Sequence, residues 1–482
     1  MSNYILTLKL NTEKYQEDIL NKRFEIGRKI YNACLNELYK RYRTMQQSKE
    51  YQKICKLPKS KERNKEFQQL NNKYGLTEYS LHKFVKSMQK HFKNNIDSFT
   101  AQKIATRCFD AFKGLMFHKS DKIHFKPYGE MYSLEGKSNK TGIRFKDNQL
   151  IWNDLKISIV INKNDIYVQQ TLNHEIKYCR IKSEMIKGKT KYYIQLVLEG
   201  IPPVKYDKDG NFKVEVNTDE RVGIDIGTQT IAICSKNNVK LLELAPEINN
   251  IEKQVRIFQR KLDRSKRAVN PNKYNENSTI NIKDKSKWIK SNHYIKTQCE
   301  LKELQRKQRE IRKQSHSKLA NYILTLGDEV FVETMNYKGL QVRAKETTVN
   351  EKTGKFNKKK RFGKSLANKA PSMFLTILNN KLKWQEKELQ KIDTYSAKAS
   401  QYNHITNEYV KKGLSERWND FGDFKIQRDL YSAFLIMNVK DNLKEVSKKR
   451  CENNFEWFRE LHDKEIIWIK TNSSKIISSM GI

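Results

Sequence analysis

At the start of the chain Tyr4, Leu6, Leu8 and Leu10 alternate with other positions, the two-residue period of a strand with one buried face. The period then lengthens. Leu20, Phe24, Ile30, Cys34 and Leu38 keep an apolar stripe among lysines and arginines, which predicts a helix. Further helices are expected over about 61–74, with Ser60 as N-cap and Gly75 as terminator, from near Ser80, and from near Asp97. In the last of these Ile104, Cys108, Phe112 and Leu115 mark one face. Residues 13–115 therefore read as a helical module with basic outer faces.

Beyond His124 the pattern shortens again. Residues 141–161 contain GIRF, LIW and LKISIVI, and further strand-like runs cover 166–169, 176–181 and 192–198. Turn signals lie at 147–148, 162–165 and 187–189. Several short strands at this spacing suggest a small barrel or sandwich over 116–219, joined by the first strand within residues 1–12. Pro202, Pro203 and the DKDGN stretch (207–211) mark a boundary before residue 220. Three strands follow at 222–226, 230–234 and 239–244. Helices are then expected at 247–267 and about 293–326, separated by a polar, Asn-rich stretch, and a strand at 329–333. Residues 338–364 read as a mobile basic loop. Pro371 opens a helix through Met373, Leu375, Leu378 and Leu382. Residues 386–424 are polar and irregular, 425–439 is the last clear helix, and no pattern places the tail beyond Arg450.

A chain of 482 residues exceeds a single core, so two to four domains are expected. Its 95 Lys+Arg against 55 Asp+Glu give a formal charge of +40. Such an excess repels itself unless a polyanion neutralises it, which makes a long nucleic acid the first partner to consider. A membrane role has no support: there is no basic amphipathic segment beside an apolar anchor, no apolar run approaches a span, and MSNYILTLKL is not a secretory signal. A hydrophobic share of 37% argues for folded domains over a basic disordered tail. The seven cysteines are scattered and none stands in a CxxC spacing, which suggests buried thiols in a reducing cytoplasm and no Cys-based zinc site.

Three acids stand at comparable structural points: Asp225 in the first core strand, Glu333 at the end of a later strand, and Asp429 near a helix start. A carboxylate on a β-branched strand is costly to bury unless it is paired or binds metal. By its own surroundings Asp225 is equally a strand-end acid facing water. A sheet with an early hairpin, a later strand and then a helix could bring the three together. Two metal ions flanking a scissile phosphate need such a carboxylate cluster, and oxygen-only ligands select Mg²⁺ or Mn²⁺ over zinc. In a chain with 55 acids, spacing alone leaves many other triples open.

The segments around these acids carry a resemblance. GIDIGTQTIAIC resembles the first RuvC motif of the TnpB transposon-encoded RNA-guided nucleases and the related compact type V CRISPR effectors. FVETMNYKGL resembles their second motif, KKRFGKSLANKAPSMFLTILNNKLKW the segment after it, and IQRDLYSAFLIMN the third. RKLDRSKR and the HFKP…SLEGK region are also similar, so the likeness spans roughly 120–440 and is firmest over 220–440. The resemblance implies an α+β multidomain protein: an RNase H-like (RuvC) mixed-sheet nuclease domain at 220–482, an oligonucleotide-binding β-barrel (wedge) from 1–12 and 116–219, and a helical recognition domain at 13–115. It implies that Asp225, Glu333 and Asp429 are the catalytic acids, with Asp225 bridging two Mg²⁺ ions and the other two completing their shells. It implies a guide RNA pairing with target double-stranded DNA opened to single strands, in the bacterial cytoplasm and on the nucleoid when bound. The basic helices over 247–326 would then hold nucleic acid through Arg256, Arg260, Lys261, Arg264 and Arg267, and the basic loop through Lys359, Lys360 and Arg361. No obligate protein partner is implied.

The chain departs from that family in two places. TnpB proteins carry a CxxC…CxxC zinc ribbon between the second and third motifs, whereas Ser400 and Asn403 stand about where cysteines would be. No zinc is expected. The insertion at about 395–424 must hold by packing or by contact with nucleic acid, and Tyr402, His404 and Trp418 read as its small core before they read as base-stacking rings. Tyr431 and Ser432 also replace the Asn-Ala that follows the third acid. The expectation is an RNA-guided DNA endonuclease. Two other readings stand beside it. A guided repressor that does not cleave should have lost an acid. A guide-free RNase H-like transposase or resolvase would leave the helical module, the barrel and the charge unexplained together.

Overall fold

The computed structural model describes residues 2–206, 209, 213–351, 353–357, 362–411, 413, 416–472 and 476–482; Lys359, Lys360, Arg361 and most of the 207–211 turn lie outside the described residues. The chain divides into two compact units, Met1–Pro203 and Val204–Ile482. Among the described residues no helix is long and apolar enough to cross a membrane.

The first unit begins with β1 (Asn3–Asn11), α1 (Lys14–Gln46), α2 (Lys49–Lys56), α3 (Lys61–Lys73), α4 (Glu78–His91) and α5 (Ser98–Met116). It continues with β2 (Ser133–Glu135), β3 (Arg144–Lys146), β4 (Gln149–Trp152), β5 (Leu155–Val160), α6 (Ile166–Leu172), β6 (Ile176–Ile186) and β7 (Lys189–Glu199). The strands form one sheet in the order β2-β6-β7-β1-β5-β4-β3. The first strand sits inside it, antiparallel to both β7 and β5, because Tyr4, Leu6, Leu8 and Leu10 all point into the core. Helix starts follow the capping residues: the Ser60, Thr77 and Asp97 side chains accept from Arg63, Ser80 and Thr100 backbone N–H groups. Asp97 also accepts from the Trp152 indole at 2.9 Å, and the Arg23 guanidinium lies 4.5 Å over that ring. Helices and sheet are thereby tied within one unit. One expected strand is a helix. Residues 166–169 belong to α6, where the Asp165 side chain caps Val168 N–H and one turn buries Val168 and Thr171.

The second unit contains β8 (Arg221–Ile226), β9 (Thr230–Ser235), β10 (Asn238–Glu243), α7 (Glu252–Val269), α8 (Asn292–Leu326), β11 (Glu329–Glu333), α9 (Tyr337–Leu340), α10 (Gly363–Lys369), α11 (Pro371–Lys383) and β12 (Gln390–Ile392). After these come α12 (Thr394–Ala397), the pairs β13 (Tyr402–Asn403) with β14 (Glu408–Tyr409) and β15 (Trp418–Asp420) with β16 (Lys425–Gln427), then α13 (Arg428–Met437) and α14 (Lys448–Asn472). The main sheet runs β10-β9-β8-β11-β12, antiparallel across the first three strands and parallel across β8, β11 and β12. The expected helix at 425–439 is shorter, since Lys425–Gln427 pair as a strand first. The stretch read as irregular supplies an edge strand, and the unplaced tail is a 25-residue helix.

Alternation along the strands divides the core in two. Val222, Ile224, Ile226, Val330 and Val332 pack with Ala320, Ile323, Phe374, Leu378 and Leu382 of α8 and α11. The opposite face, with Cys234, Leu241 and Phe331, is covered by α13 and α14 through Leu430, Phe434, Phe458 and Ile469. On that face β8 presents Gly223. A Cβ there would fall on the Ala433 carbonyl oxygen and the Met437 amide nitrogen of α13. The helix can lie this close to the strand only because the side chain is absent.

Gly223→Ala should therefore force α13 off the sheet. We expect a loss of roughly 3 kcal/mol or more, the upper end for overpacking, read as a lowered thermal midpoint or insoluble protein.

Candidate active site

The β8–β11 register pairs Glu329 with Arg221 and Val332 with Ile224, a constant offset that places Glu333 level with Asp225 on the adjacent parallel strand. Asp225 shares a face with Gly223, and Glu333 with Phe331, so both acids point to the side covered by α13. Asp429 lies in the first turn of that helix. Three acids far apart in the sequence, at 225, 333 and 429, thus meet at one end of the β8–α13 contact.

Their electrostatics register the proximity. Burial pushes the Asp225 carboxyl well above the ordinary range, and the charges of Asp429 and Glu333 push it further, against the opposing pull of Arg428 and Ser432. Asp225 still keeps part of its surface open, as do Glu333 and Asp429, so the group is enclosed by protein without being sealed. Burial also raises Glu333 and Asp429; Arg428 opposes both shifts, and Arg417, 3.8 Å from Asp429, opposes the second. Glu333 Oε1 and the Tyr337 hydroxyl are buried with no hydrogen-bond partner. The acids interact strongly but are not drawn into a closed cage: among the described residues no three His, Cys, Asp or Glu side chains are gathered tightly enough to hold a metal ion as they stand. Asp429 has the Arg417 guanidinium 3.8 Å away. The donor set, three carboxylates with one unpartnered buried oxygen, fits a hard divalent cation in chemistry.

The two residues after Asp429 that depart from the family pattern both have work here. Ser432 lies close enough to Asp225 to oppose the rise in its pKa. Tyr431 accepts from the His404 backbone N–H at 3.2 Å and hydrogen-bonds its Nδ1 at 2.6 Å. His404 is 2% exposed, ringed by Phe434 and Phe455, and burial lowers its pKa to about 4. Tyr402 is buried, and the Trp418 indole donates to the Gly481 carbonyl. The insertion is held by an aromatic core that no sequence signal beyond its ring content announced. The helix start is anchored too, because Gln427 caps Leu430 N–H and donates to the Met480 carbonyl.

Of the expected nucleic-acid contacts, Arg256, Arg260, Lys261 and Arg264 are exposed on α7, which buries no residue. Arg256, Arg260 and Arg264 recur every fourth position and form one stripe. Arg267 is engaged locally, donating to Asp263 and the Ser278 carbonyl and lying over the Tyr274 ring. On α8, Arg312 donates to the Asn368 carbonyl and Arg306 to Glu303, so part of that helix's charge serves the fold. Residues 269–285 are ordered around buried Lys273, which donates to Asp284 and the Ser286 carbonyl.

No protein-family model matches the chain, and no curated protein matches it. Among solved structures it is similar to a Cas12f1–sgRNA–target DNA complex, at 10% identity over 90% of this chain and 98% of that one, with a TM-score of 0.40. It is also similar to a CRISPR-Cas12f ternary complex, at 12% identity over 89% of this chain and 83% of that one, with a TM-score of 0.27. Likenesses of this size carry no argument about the site.

The raised Asp225 pKa has a measurable sign. The folded state holds that proton more tightly than the unfolded chain, so this contribution to stability is full below the unfolded carboxylate pKa of about 4 and is lost as pH rises towards the folded value. In chelator, Asp225→Asn should melt several degrees higher than the parent at pH 8, with the difference shrinking towards pH 4. Thermal unfolding across that range checks it.

Proposed function

We propose that this protein is an RNA-guided DNA endonuclease of the TnpB and compact type V effector kind, with Asp225, Glu333 and Asp429 as its cleavage centre. The observation that carries the reading is the convergence of these acids from two adjacent strands and one helix start, all three raised by burial and Asp225 raised further by the charges of the other two. A fold keeps mutually repelling buried carboxylates at a cost in stability. That cost argues for use, and against a guided repressor that has no need of them.

Asp225, Glu333 and Asp429 would hold Mg²⁺ or Mn²⁺; when bound, such ions neutralise charge on a phosphodiester and make water a competent nucleophile. The chain's own groups do the rest. Ser432 opposes the raised pKa of Asp225, while Arg417 and Arg428 offset excess negative charge beside Asp429. Gln427 anchors the helix start that carries the third acid. The guided part of the reading rests on the motif resemblance and on the +40 charge, with the α7 stripe as a track for phosphates. The first unit's sheet, with β1 at its centre, is suited to the oligonucleotide-binding wedge, and its helices to the recognition module.

Asp225→Ala, Glu333→Ala and Asp429→Ala should each lower cleavage of a guide-matched plasmid by at least about 10³-fold, in the range for loss of a catalytic group, with guide and target affinities within about twofold of the parent. Single-turnover cleavage and gel-shift titration check this. Mg²⁺ should raise the thermal midpoint of the parent and leave that of Asp225→Ala unmoved.

A further inference from the structure

Beside Glu333 the second unit contains a cavity of about 290 Å³ lined in part by Tyr337, Ser372, Thr376, Asn379 and Lys391. Ser372, Thr376 and Asn379 fall at i, i+4 and i+7 and form one polar stripe of α11, while Phe374, Leu378 and Leu382 of the same helix are buried in the core. Lys391 is exposed on the edge strand, paired level with Val332. The lining combines hydroxyl and amide groups with apolar Val332, Met335, Leu375 and Leu389, the Glu333 carboxylate and one cation, Lys391, a mixed surface that suits a sugar-phosphate rather than a stacked base.

Tyr337 is the unusual member. Its hydroxyl is buried without a hydrogen-bond partner, as is Glu333 Oε1 in the same cavity. A buried O–H left unmade costs roughly 1–3 kcal/mol, so its persistence points to a partner that arrives from outside the chain. A phenol keeps its proton at neutral pH, so Tyr337 is a neutral donor in the cavity that Glu333 also lines.

We propose that the Tyr337 hydroxyl donates a hydrogen bond to a non-bridging phosphate oxygen of the DNA strand at the cleavage centre, and that the cavity it lines seats the adjoining deoxyribose. The inference rests on the nuclease reading above and adds to it a substrate-positioning side chain. With one donor aimed at the phosphate, the strand is held in register with Asp225 and Glu333. The α11 stripe then confines the neighbouring sugar.

The test is Tyr337→Phe in the assembled guide–protein complex, with single-turnover cleavage, target affinity and thermal midpoint all measured. The proposal expects cleavage to fall roughly 100- to 1,000-fold, as for loss of one preorganised donor, with affinity within about twofold and the midpoint equal to or above that of the parent, because the lost hydroxyl had no protein partner. Undiminished cleavage overturns it. So does a loss that tracks a lower midpoint, which marks a structural role, or one carried wholly by weaker target binding. A parent complex that leaves matched DNA intact overturns the nuclease reading itself, and this proposal with it.

Discussion

The second unit depends on one close approach, that of α13 to β8 at Gly223. A helix and a strand normally keep a layer of side chains between them. Here the strand offers none, and the Ala433 carbonyl and Met437 amide occupy the space. The helix runs back over the strand from that contact, which brings its first turn, with Asp429, to the level of Asp225. The parallel β8–β11 register brings Glu333 to the same level. What surrounds the contact keeps it in place: the α14 aromatic face, the Gln427 cap tied to the Met480 carbonyl, and Arg221, which donates to the Met437 and Val439 carbonyls at the far end of the helix.

The same geometry that assembles the acids makes them expensive. Asp225 is raised by burial first and by its two neighbours next, and Arg428 and Ser432 pull against this. Arg417 gives Asp429 a partial counter-charge at 3.8 Å. Beside them Glu333 Oε1 and the Tyr337 hydroxyl go unpaired. The aromatic insertion next to it differs: His404 and Tyr431 bond to each other among ring neighbours.

Much of this was legible in the residues. Strand alternation at Tyr4 to Leu10, the helix caps at Ser60 and Asp97, and the run Val222, Ile224, Ile226 each follow from local periodicity, which depends on few neighbours. The pairing of Asp225 with Glu333 was legible only through motif context, since register between strands a hundred residues apart has no local signature. Residues 166–169 read as a strand because Ile166, Tyr167 and Val168 favour one, and the Asp165 cap overrode them. Tyr337 escaped notice because a tyrosine after a strand is ordinary. Only the absence of a partner for its hydroxyl, a property of the folded surroundings, sets it apart. Arg267 looked like its neighbours on α7 until Asp263, Ser278 and Tyr274 were seen to hold it.

The claim that Asp225, Glu333 and Asp429 act as one centre is tested most directly by comparing each single alanine variant with the triple variant in single-turnover cleavage of guide-matched DNA. Groups that serve one function together are strongly non-additive, so the account predicts that the triple variant is no slower than the single ones. Losses that multiply from one acid to the next, or parental cleavage in any single variant, would contradict it.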